Sequence, residues 1–326
     1  MKILVTGAAG FIGSNLVDAL LLENHTVVGI DNLSTGRPEF LNLASKHPNF
    51  DFKQLDILNR AALSEVLDSS FDCVCHLAAN ADVRRGIEAP FRDLEQNTIA
   101  TWNVLEAMRD SGVKHIVFTS TGSVYGEAEV IPTPENAPFP VQTSLYGASK
   151  LACEALISAY CEGYNMRGTV YRFVSFVGDR YTHGHIYDFV RQLLRSPDEL
   201  RILGDGSQRK SYIHVSDGVA AIAAVLRHPS PKKYEVFNLG TSEYVTVNDS
   251  IAEICAEMGV CPERLYSGGS RGWVGDNPFI YLDCSRIRQH LDHIWAPKIG
   301  ILDGVRMTVR YLLTNKHLFD AAGSVQ

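Results

Sequence analysis

The sequence predicts an α/β protein, a doubly wound parallel sheet followed by a smaller mixed α/β lobe. Three observations predict it. Short apolar runs alternate with helix-spaced segments through the first half of the chain, the pattern of βαβ units. A glycine-rich turn, TGAAGFIGSN (6–15), joins the first run to the first helical segment. After about residue 175 the alternation breaks up under Pro197, Gly204, Gly206, Pro229, Pro231, Pro262, Gly268, Gly269, Gly272, Gly275 and Pro278.

The elements follow in order. KILVT (2–6), HTVVGID (25–31), FKQLDI (52–57), DCVCHLA (72–78), KHIVFTS (114–120) and GTVYRFVS (168–175) are the expected strands. Their apolar character suits a sheet covered on both faces. FIGSNLVDALLLEN (11–24) sets Ile12, Leu16 and Leu20 on one helix face. ALSEVL (62–67), TIATWNVLEAMRDSG (98–112) and SLYGASKLACEALISAYCE (144–162) are the next helices, with Gly112 a natural stop. Right-handed crossovers then make the sheet parallel. Farther on, IYDFVRQLLR (186–195), DGVAAIAAVLRH (217–228) and VNDSIAEICAEMG (247–259) read as helices. YEVFNLG (234–240) reads as a strand returning to the main sheet. The expected division is therefore 1–175, with a strand and helix near 210–245 returning to it, and 176–326 as mainly the second lobe.

Bulk properties exclude several classes. A chain of 326 residues with 45% hydrophobic and 21% charged residues is an ordinary globular composition. A net charge of −7 offers no basic footprint for nucleic acid. The seven cysteines are scattered and never spaced C-x-x-C, so neither a disulfide framework nor a zinc site is expected. No apolar run approaches the roughly 20 residues of a membrane span. The opening MKILVTG is already strand and turn rather than a signal peptide, so a cytoplasmic setting is expected.

The glycine-rich turn points to a dinucleotide. Gly7, Gly10 and Gly13 permit a tight turn and close approach of backbone to a phosphate. The helix N-terminus behind them favours an anion. The second strand ends at Asp31, placed to accept bonds from a ribose diol and to repel a 2′-phosphate. Asn32 follows it, so NAD is favoured over NADP. Asp56 and Ile57 close the third strand where an adenine would sit, and HLAA (76–79) puts small residues under the cofactor at the end of the fourth.

A second constellation carries chemistry. Tyr146 and Lys150 are four apart on a helix and share a face. An ammonium beside the phenol favours the phenolate, which suits a general base near neutral pH. The preceding strand ends in STGSVYG (120–126), making Thr121 a candidate to bond the same substrate hydroxyl.

With these motifs in view, the chain resembles the extended short-chain dehydrogenase/reductase family, specifically its nucleotide-sugar epimerases and dehydratases. The matching residues are TGAAGFIG (6–13), DNLSTG (31–36), Asp56-Ile57, HLAA (76–79), Asn97, STGSVYG (120–126), YGASK (146–150), GDGSQRKSYIHVSD (204–217) and GWVGDNP (272–278). The resemblance implies a Rossmann-type domain binding NAD, a C-terminal lobe binding a nucleoside-diphosphate sugar, and transient oxidation at C4 of that sugar. It implies that Tyr146 is the base, Lys150 its partner and Thr121 the hydroxyl residue. It extends the cofactor set to Phe11, Ile12, Ser34, Thr35, Gly36, Leu77, Ala78, Ala79, Asn97, Thr119 and Phe173. It extends the substrate set to Val83, Gly122, Ser123, Ser175, Arg180, Lys210, Tyr212, Arg271 and Asp276.

The residues after Thr121 bear on the reaction. Dehydratases of this family resemble T-D-E-V-Y-G and uronate decarboxylases T-S-E-V-Y-G, whereas Gly122 and Ser123 here offer no carboxyl group. Elimination of water needs such acids. Inversion at C4 does not, so a UDP-sugar 4-epimerase is expected, with the glucose/galactose, N-acetylhexosamine and uronate substrates all open. A decarboxylase, a 4,6-dehydratase and a non-catalytic NAD-sensing regulator are the alternatives. Ser175 stands where UDP-glucose epimerases carry asparagine, Lys210 where they carry a phosphate arginine, and Arg271 is two positions from the usual second one. His183 and His185 lack a third ligand, so no metal is expected. Arg84 and Arg85 read equally as substrate-facing or as a solvated turn. A homodimer through the helix after Asn97 and the Tyr146 helix is implied by the resemblance.

Overall fold

The computed structural model describes residues 1–81, 86, 88–139, 141–273 and 276–323; the expected site residue Val83, with Arg84 and Arg85, lies outside them. The chain divides into two compact units. The first comprises Met1–Phe173, Val219–Leu239 and Leu282–Ala296, and the second Val174–Gly218, Gly240–Tyr281 and Pro297–Gln326.

The first unit is built on β1 (Lys2–Thr6), β2 (Thr26–Asp31), β3 (Phe50–Gln54), β4 (Cys73–His76), β5 (His115–Thr121) and β6 (Arg167–Phe173). In the second lie β7 (Ser175–Val177), β8 (Glu199–Ile202), β9 (Arg209–Lys210) and β10 (Tyr212–His214). The first unit then regains β11 (Tyr234–Leu239), and β12 (Val245–Thr246), β13 (Glu263–Tyr266) and β14 (Phe279–Ile280) complete the second. The main sheet has seven strands in the order β11-β6-β5-β4-β1-β2-β3, every neighbouring pair parallel. Leu4, Val74, Ile116, Phe118 and Val170 are fully buried, as strands covered on both faces require.

The helices of this unit are α1 (Phe11–Leu22), α2 (Arg60–Val66), α3 (Pro90–Asp93), α4 (Ala100–Ser111) and α5 (Leu145–Gly163). α1 buries Leu16, Val17 and Leu20, α4 buries Val104, Leu105 and Met108, and α5 buries Cys153, Ile157 and Cys161. α4 ends at Gly112, whose φ of 83° is left-handed. Ser144 caps α5 by accepting from the Gly147 amide at 3.0 Å. Between α3 and α4, Leu94–Ile99 winds as a π-helix, a distortion that hydrophobic spacing does not reveal.

The remaining helices are α6 (His185–Arg195), α7 (Val215–Arg227), α8 (Val247–Met258), α9 (Ser285–His290) and α10 (Ile301–Thr314). In the second unit β7 pairs parallel with β10, β13 with β8, and β9 lies between antiparallel β12 and parallel β14. α6, α8 and α10 pack on one another there.

Three strand ends fall two or more residues short of the sequence expectation, the fourth at His76 with Leu77 and Ala78 beyond it. The third strand stops at Gln54, so Asp56 and Ile57 lie in the following turn, where Asp56 Oδ1 accepts from the Leu58 amide at 2.9 Å. The sixth stops at Phe173, paired with Thr121 and Leu239. Ser175 is therefore not in the main sheet: it opens β7, is exposed, and pairs with Tyr212. The alternating apolar run is continuous across that break, which hides it in the sequence.

Candidate active site

In the main sheet β1 has β2 on one side and β4 on the other, and successive connections wind away from it in both directions. Ligands of such sheets bind at the carboxyl ends of the strands at this reversal point. The two chain ends meeting there are tightly packed. Thr6 Oγ1 accepts from the Leu77 and Ala78 amides, each at 3.1 Å. A Cβ on Gly7 would stand 2.8 Å from the Ala78 nitrogen, and Gly7 has a φ of +69°. A Cβ on Gly13 would fall 2.0 Å from the Gly7 carbonyl oxygen. Only glycine fits either place, and the cradle this leaves ends at the first turn of α1, whose Gly10 N-cap provides no side-chain bond. Phe11 is buried and Ile12 half-buried in that turn.

Asp31 closes β2 with its carboxylate already shaped by backbone. Oδ2 accepts from the Ala9 amide at 3.0 Å and Oδ1 from the Leu33 amide at 2.8 Å. Burial pushes its acid up, and those two amides draw it back. A Cβ on Gly36 would meet Asp31 Oδ1 at 2.6 Å, so the loop through Ser34 and Thr35 folds back over the carboxylate. Asn32 donates to Asp56 Oδ2 at 2.9 Å, tying the ends of the second and third strands together. A glycine cradle at a helix N-terminus beside a ribose-reading carboxylate fits a dinucleotide.

The second constellation forms on the neighbouring strands. The Thr121 hydroxyl lies close enough to the Tyr146 phenol to favour its ionised form. Thr121 donates to Ser123 Oγ at 3.2 Å and accepts from the Ser123 amide at 3.1 Å, so the turn Gly122–Tyr125 holds its rotamer. Lys150 Nζ donates to the Thr119 carbonyl at 3.0 Å and lies 4.6 Å over the Phe118 ring. Burial lowers the Lys150 ammonium to about 8, against the pull of Cys153 and Glu154. The ammonium alone does not draw the phenol down. Burial raises Tyr146 above its ordinary value, and the Thr121 hydroxyl acts in the opposite direction.

Asn97 lies in the π-helix and braces the same helix. Its Oδ1 accepts from the Asn80 amide and its Nδ2 donates to Ser149 Oγ, both at 2.9 Å. Ser149 Oγ donates in turn to the Tyr146 carbonyl at 2.8 Å. Asn80 Nδ2 donates to buried Asp93 at 2.8 Å, a carboxylate whose field works against the Tyr146 phenolate. Thr119 donates to the His76 carbonyl at 3.4 Å, and Phe173 is buried at the end of β6. His76 is held between Thr6 and Thr101 and kept neutral by burial, its imidazolium lowered to about 3.

The expected substrate residues of the second unit form their own group. Lys210 Nζ bonds Asp276 Oδ1 at 2.8 Å and also donates to the Asn277 carbonyl. Arg271 donates to the Asp276 carbonyl and the Gly272 amide to Asp276 Oδ2, each at 3.0 Å. Burial lowers the Lys210 ammonium, opposed by Asp276. The Tyr212 hydroxyl meets His185 Nδ1 at 3.4 Å. Arg180 adopts a φ of 69°. Among the described residues, no three of His, Cys, Asp and Glu are grouped to hold a metal ion.

Comparison with known proteins matches the model of the NAD-dependent epimerase/dehydratase family to residues 3–240. The chain belongs to the NAD-dependent epimerase/dehydratase family. NAD is its cofactor, as the fit of the glycine cradle and Asp31 also argues. A putative UDP-glucose 4-epimerase of Methanocaldococcus jannaschii is 33% identical over 96% of this chain and 99% of that protein. A UDP-glucuronate 4-epimerase of Thermodesulfobacterium geofontis is 32% identical over 97% of each. The crystal structure of the UDP-glucose 4-epimerase of Thermotoga maritima with UDP-glucose superposes with a TM-score of 0.85 at 32% identity, over 97% of this chain and 100% of that one.

Within this family member, sequence reasoning passed over one buried charged pair beside the dyad. Glu154, on the helix of Tyr146 and Lys150, pairs with Arg172 of β6 at 2.7 Å. An arginine inside a strand expected to be covered on both faces is the signal that would have found it.

Proposed function

We propose that this chain is a UDP-sugar 4-epimerase that works through a transient 4-keto sugar. The observation that carries the reading is that Thr121 stands beside Tyr146 at a strand end whose next residues, Gly122 and Ser123, have no carboxyl group. The full-length similarity to proteins named as 4-epimerases supports it.

In this reading Gly7, Gly10, Gly13 and Asp31 hold the pyrophosphate and ribose of NAD, and Lys150 its nicotinamide ribose. When bound, NAD supplies a hydride acceptor and donor at C4 of the sugar and a positive charge beside the phenol. Tyr146 takes the proton from the O4 hydroxyl and returns it after the sugar has turned. The one Thr121 hydroxyl proton, turned from Ser123 to the phenol oxygen, favours the phenolate, and the Lys150 ammonium adds to that effect. Gly122 and Ser123 leave space for either face of the ring. Lys210 and Arg271 hold the diphosphate, with Tyr212, Asp276, Ser175 and Arg180 completing the substrate set. Val83 belongs to that set by resemblance alone.

The purified protein incubated with UDP-, CDP-, GDP- and dTDP-sugars should give a C4-inverted product by NMR from a UDP-sugar. Release of CO₂ or a 4-keto-6-deoxy product would sink the epimerase reading. A cytoplasmic setting accords with the free cysteines, of which Cys261 alone is exposed among the seven. No helix among the described residues is long and apolar enough to cross a membrane.

A homodimer is part of the same proposal. Phe91, Leu94, Ile99, Trp102 and Leu145 are exposed along α3, the π-helix, α4 and the start of α5. Such a stripe fits a second copy of the same helices. Light scattering at micromolar concentration should give twice the chain mass, and a monomer would count against it.

A further inference from the structure

The mechanism leaves unused a buried charge pair in the first unit. Glu154 follows Lys150 by four residues on α5, so the two share a face. Arg172 grips its carboxylate through Nη2 at 2.7 Å and through Nε at 3.1 and 3.2 Å. The two side chains are 4% and 3% exposed. Ser120 Oγ donates to Glu154 Oε1. Arg172 Nη1 donates to the Tyr125 hydroxyl at 2.7 Å and to the Glu135 carbonyl at 3.1 Å. The Tyr125 hydroxyl donates in turn to Asn238 Oδ1 of β11 at 2.8 Å.

A buried ion pair seldom adds net stability, because desolvation offsets its attraction. Its position suggests another use. Ser120 immediately precedes Thr121, and Tyr125 ends the turn that follows it. β5 is thus tied to α5 by two successive rungs, Lys150 to the Thr119 carbonyl and Ser120 to Glu154. We infer that Glu154, held by Arg172, is a positioning residue that fixes the strand end bearing Thr121 against the helix bearing Tyr146 and Lys150.

The charge of Glu154 serves the same end. Lys150 is faced by Cys153 and Glu154 from α5, by His76 from β4, and by the Thr119 carbonyl and Phe118 ring from β5. Burial keeps His76 neutral and raises the Cys153 thiol and the Tyr146 phenol. Glu154 is then the anion that favours the Lys150 ammonium at neutral pH.

This rests on the epimerase reading, and the test separates the two. Wild-type holoenzyme is first assayed with UDP-glucose and UDP-galactose; inactivity there fails the epimerase reading, and the variants are then compared on whichever sugar nucleotide turns over. Glu154→Gln keeps the side-chain volume and an acceptor for Arg172. Its kcat should fall roughly ten- to a hundredfold with KM little changed, as a misplaced reacting group would cause. Its alkaline pH limb should move to lower pH by roughly half a unit or more. Glu154→Asp, which restores the charge, should return the limb but not the full rate. If Glu154→Gln does not fold, the paired change Glu154→Met with Arg172→Met removes the pair without stranding a charge and should show the same two effects. A folded variant with lowered melting temperature but wild-type kcat and pH profile would overturn the inference, leaving the pair a structural one.

Discussion

Lys150 Nζ donates to the carbonyl of Thr119 at 3.0 Å, two residues before Thr121, whose hydroxyl stands beside Tyr146. The lysine is therefore anchored to the strand that presents the threonine. Without cofactor the phenol is raised by burial. A positive charge beside it would favour the ionised form, as a general base requires.

Tyr146→Phe tests that base directly. Phenylalanine keeps the ring and its packing but removes the oxygen that moves the proton. Turnover should fall by about 10²- to 10⁴-fold, the usual contribution of general acid–base catalysis, while NAD stays bound. Steady-state rates and the cofactor content of the purified variant check both halves. An active variant would mean that another group takes the O4 proton.

The pH dependence follows from Lys150. Its ammonium is lowered from 10.5 to about 8 by burial, so kcat should fall as pH rises through about 8. Stability should move the other way. The unfolded chain holds this proton up to about 10.5 and the folded chain only to about 8, so in that window the unfolded state binds more protons and stability rises with pH. Unfolding free energies of wild type relative to Lys150→Met, measured by urea from pH 7 to 10, should increase over the interval in which activity declines.

The legible parts of the fold were those where one physical rule acts alone. Strands buried on both faces must be apolar, so five of the six expected in the first half lie within the main sheet over most of their length. Gly112 read correctly as a stop because a left-handed residue favours glycine. Ser175 misled because the backbone changes sheets inside one apolar run, and no residue type marks that change. The π-helix around Asn97 was hidden because hydrophobic period does not distinguish it from a short helix. Asp56 remained beside Asn32 although its strand ended earlier, since the turn it occupies fixes the side chain through the Leu58 amide. The Glu154–Arg172 pair needed three dimensions, because spacing shows that Glu154 shares a face with Lys150 but not what the face meets.

Gly13→Ala tests the cofactor cradle. The added methyl would overlap the Gly7 carbonyl oxygen at 2.0 Å, and backbone on both sides has nowhere to yield. The turn must open, so NAD should be lost on gel filtration, with affinity down by about tenfold or more for a displacement worth roughly 1.4 kcal/mol. Fluorescence titration of the apo protein with NAD measures it. Unchanged affinity would place the dinucleotide elsewhere.

Lys210 and Asp276 make the last prediction, because a buried carboxylate is paired there with a half-buried ammonium. Removing the lysine strands a carboxylate that is 3% exposed, and removing one partner of such a pair typically costs about 3–5 kcal/mol. Lys210→Met should therefore lower stability clearly, while Lys210→Met with Asp276→Asn should recover much of the loss. The same cycle separates folding from binding. In the doubly changed protein, if Lys210 holds the diphosphate, KM stays raised by about tenfold or more although stability has returned, since the substrate's charge then lacks its partner. Denaturant midpoints and KM measured on all four proteins give both answers, and a double variant with wild-type KM would remove Lys210 from the substrate set.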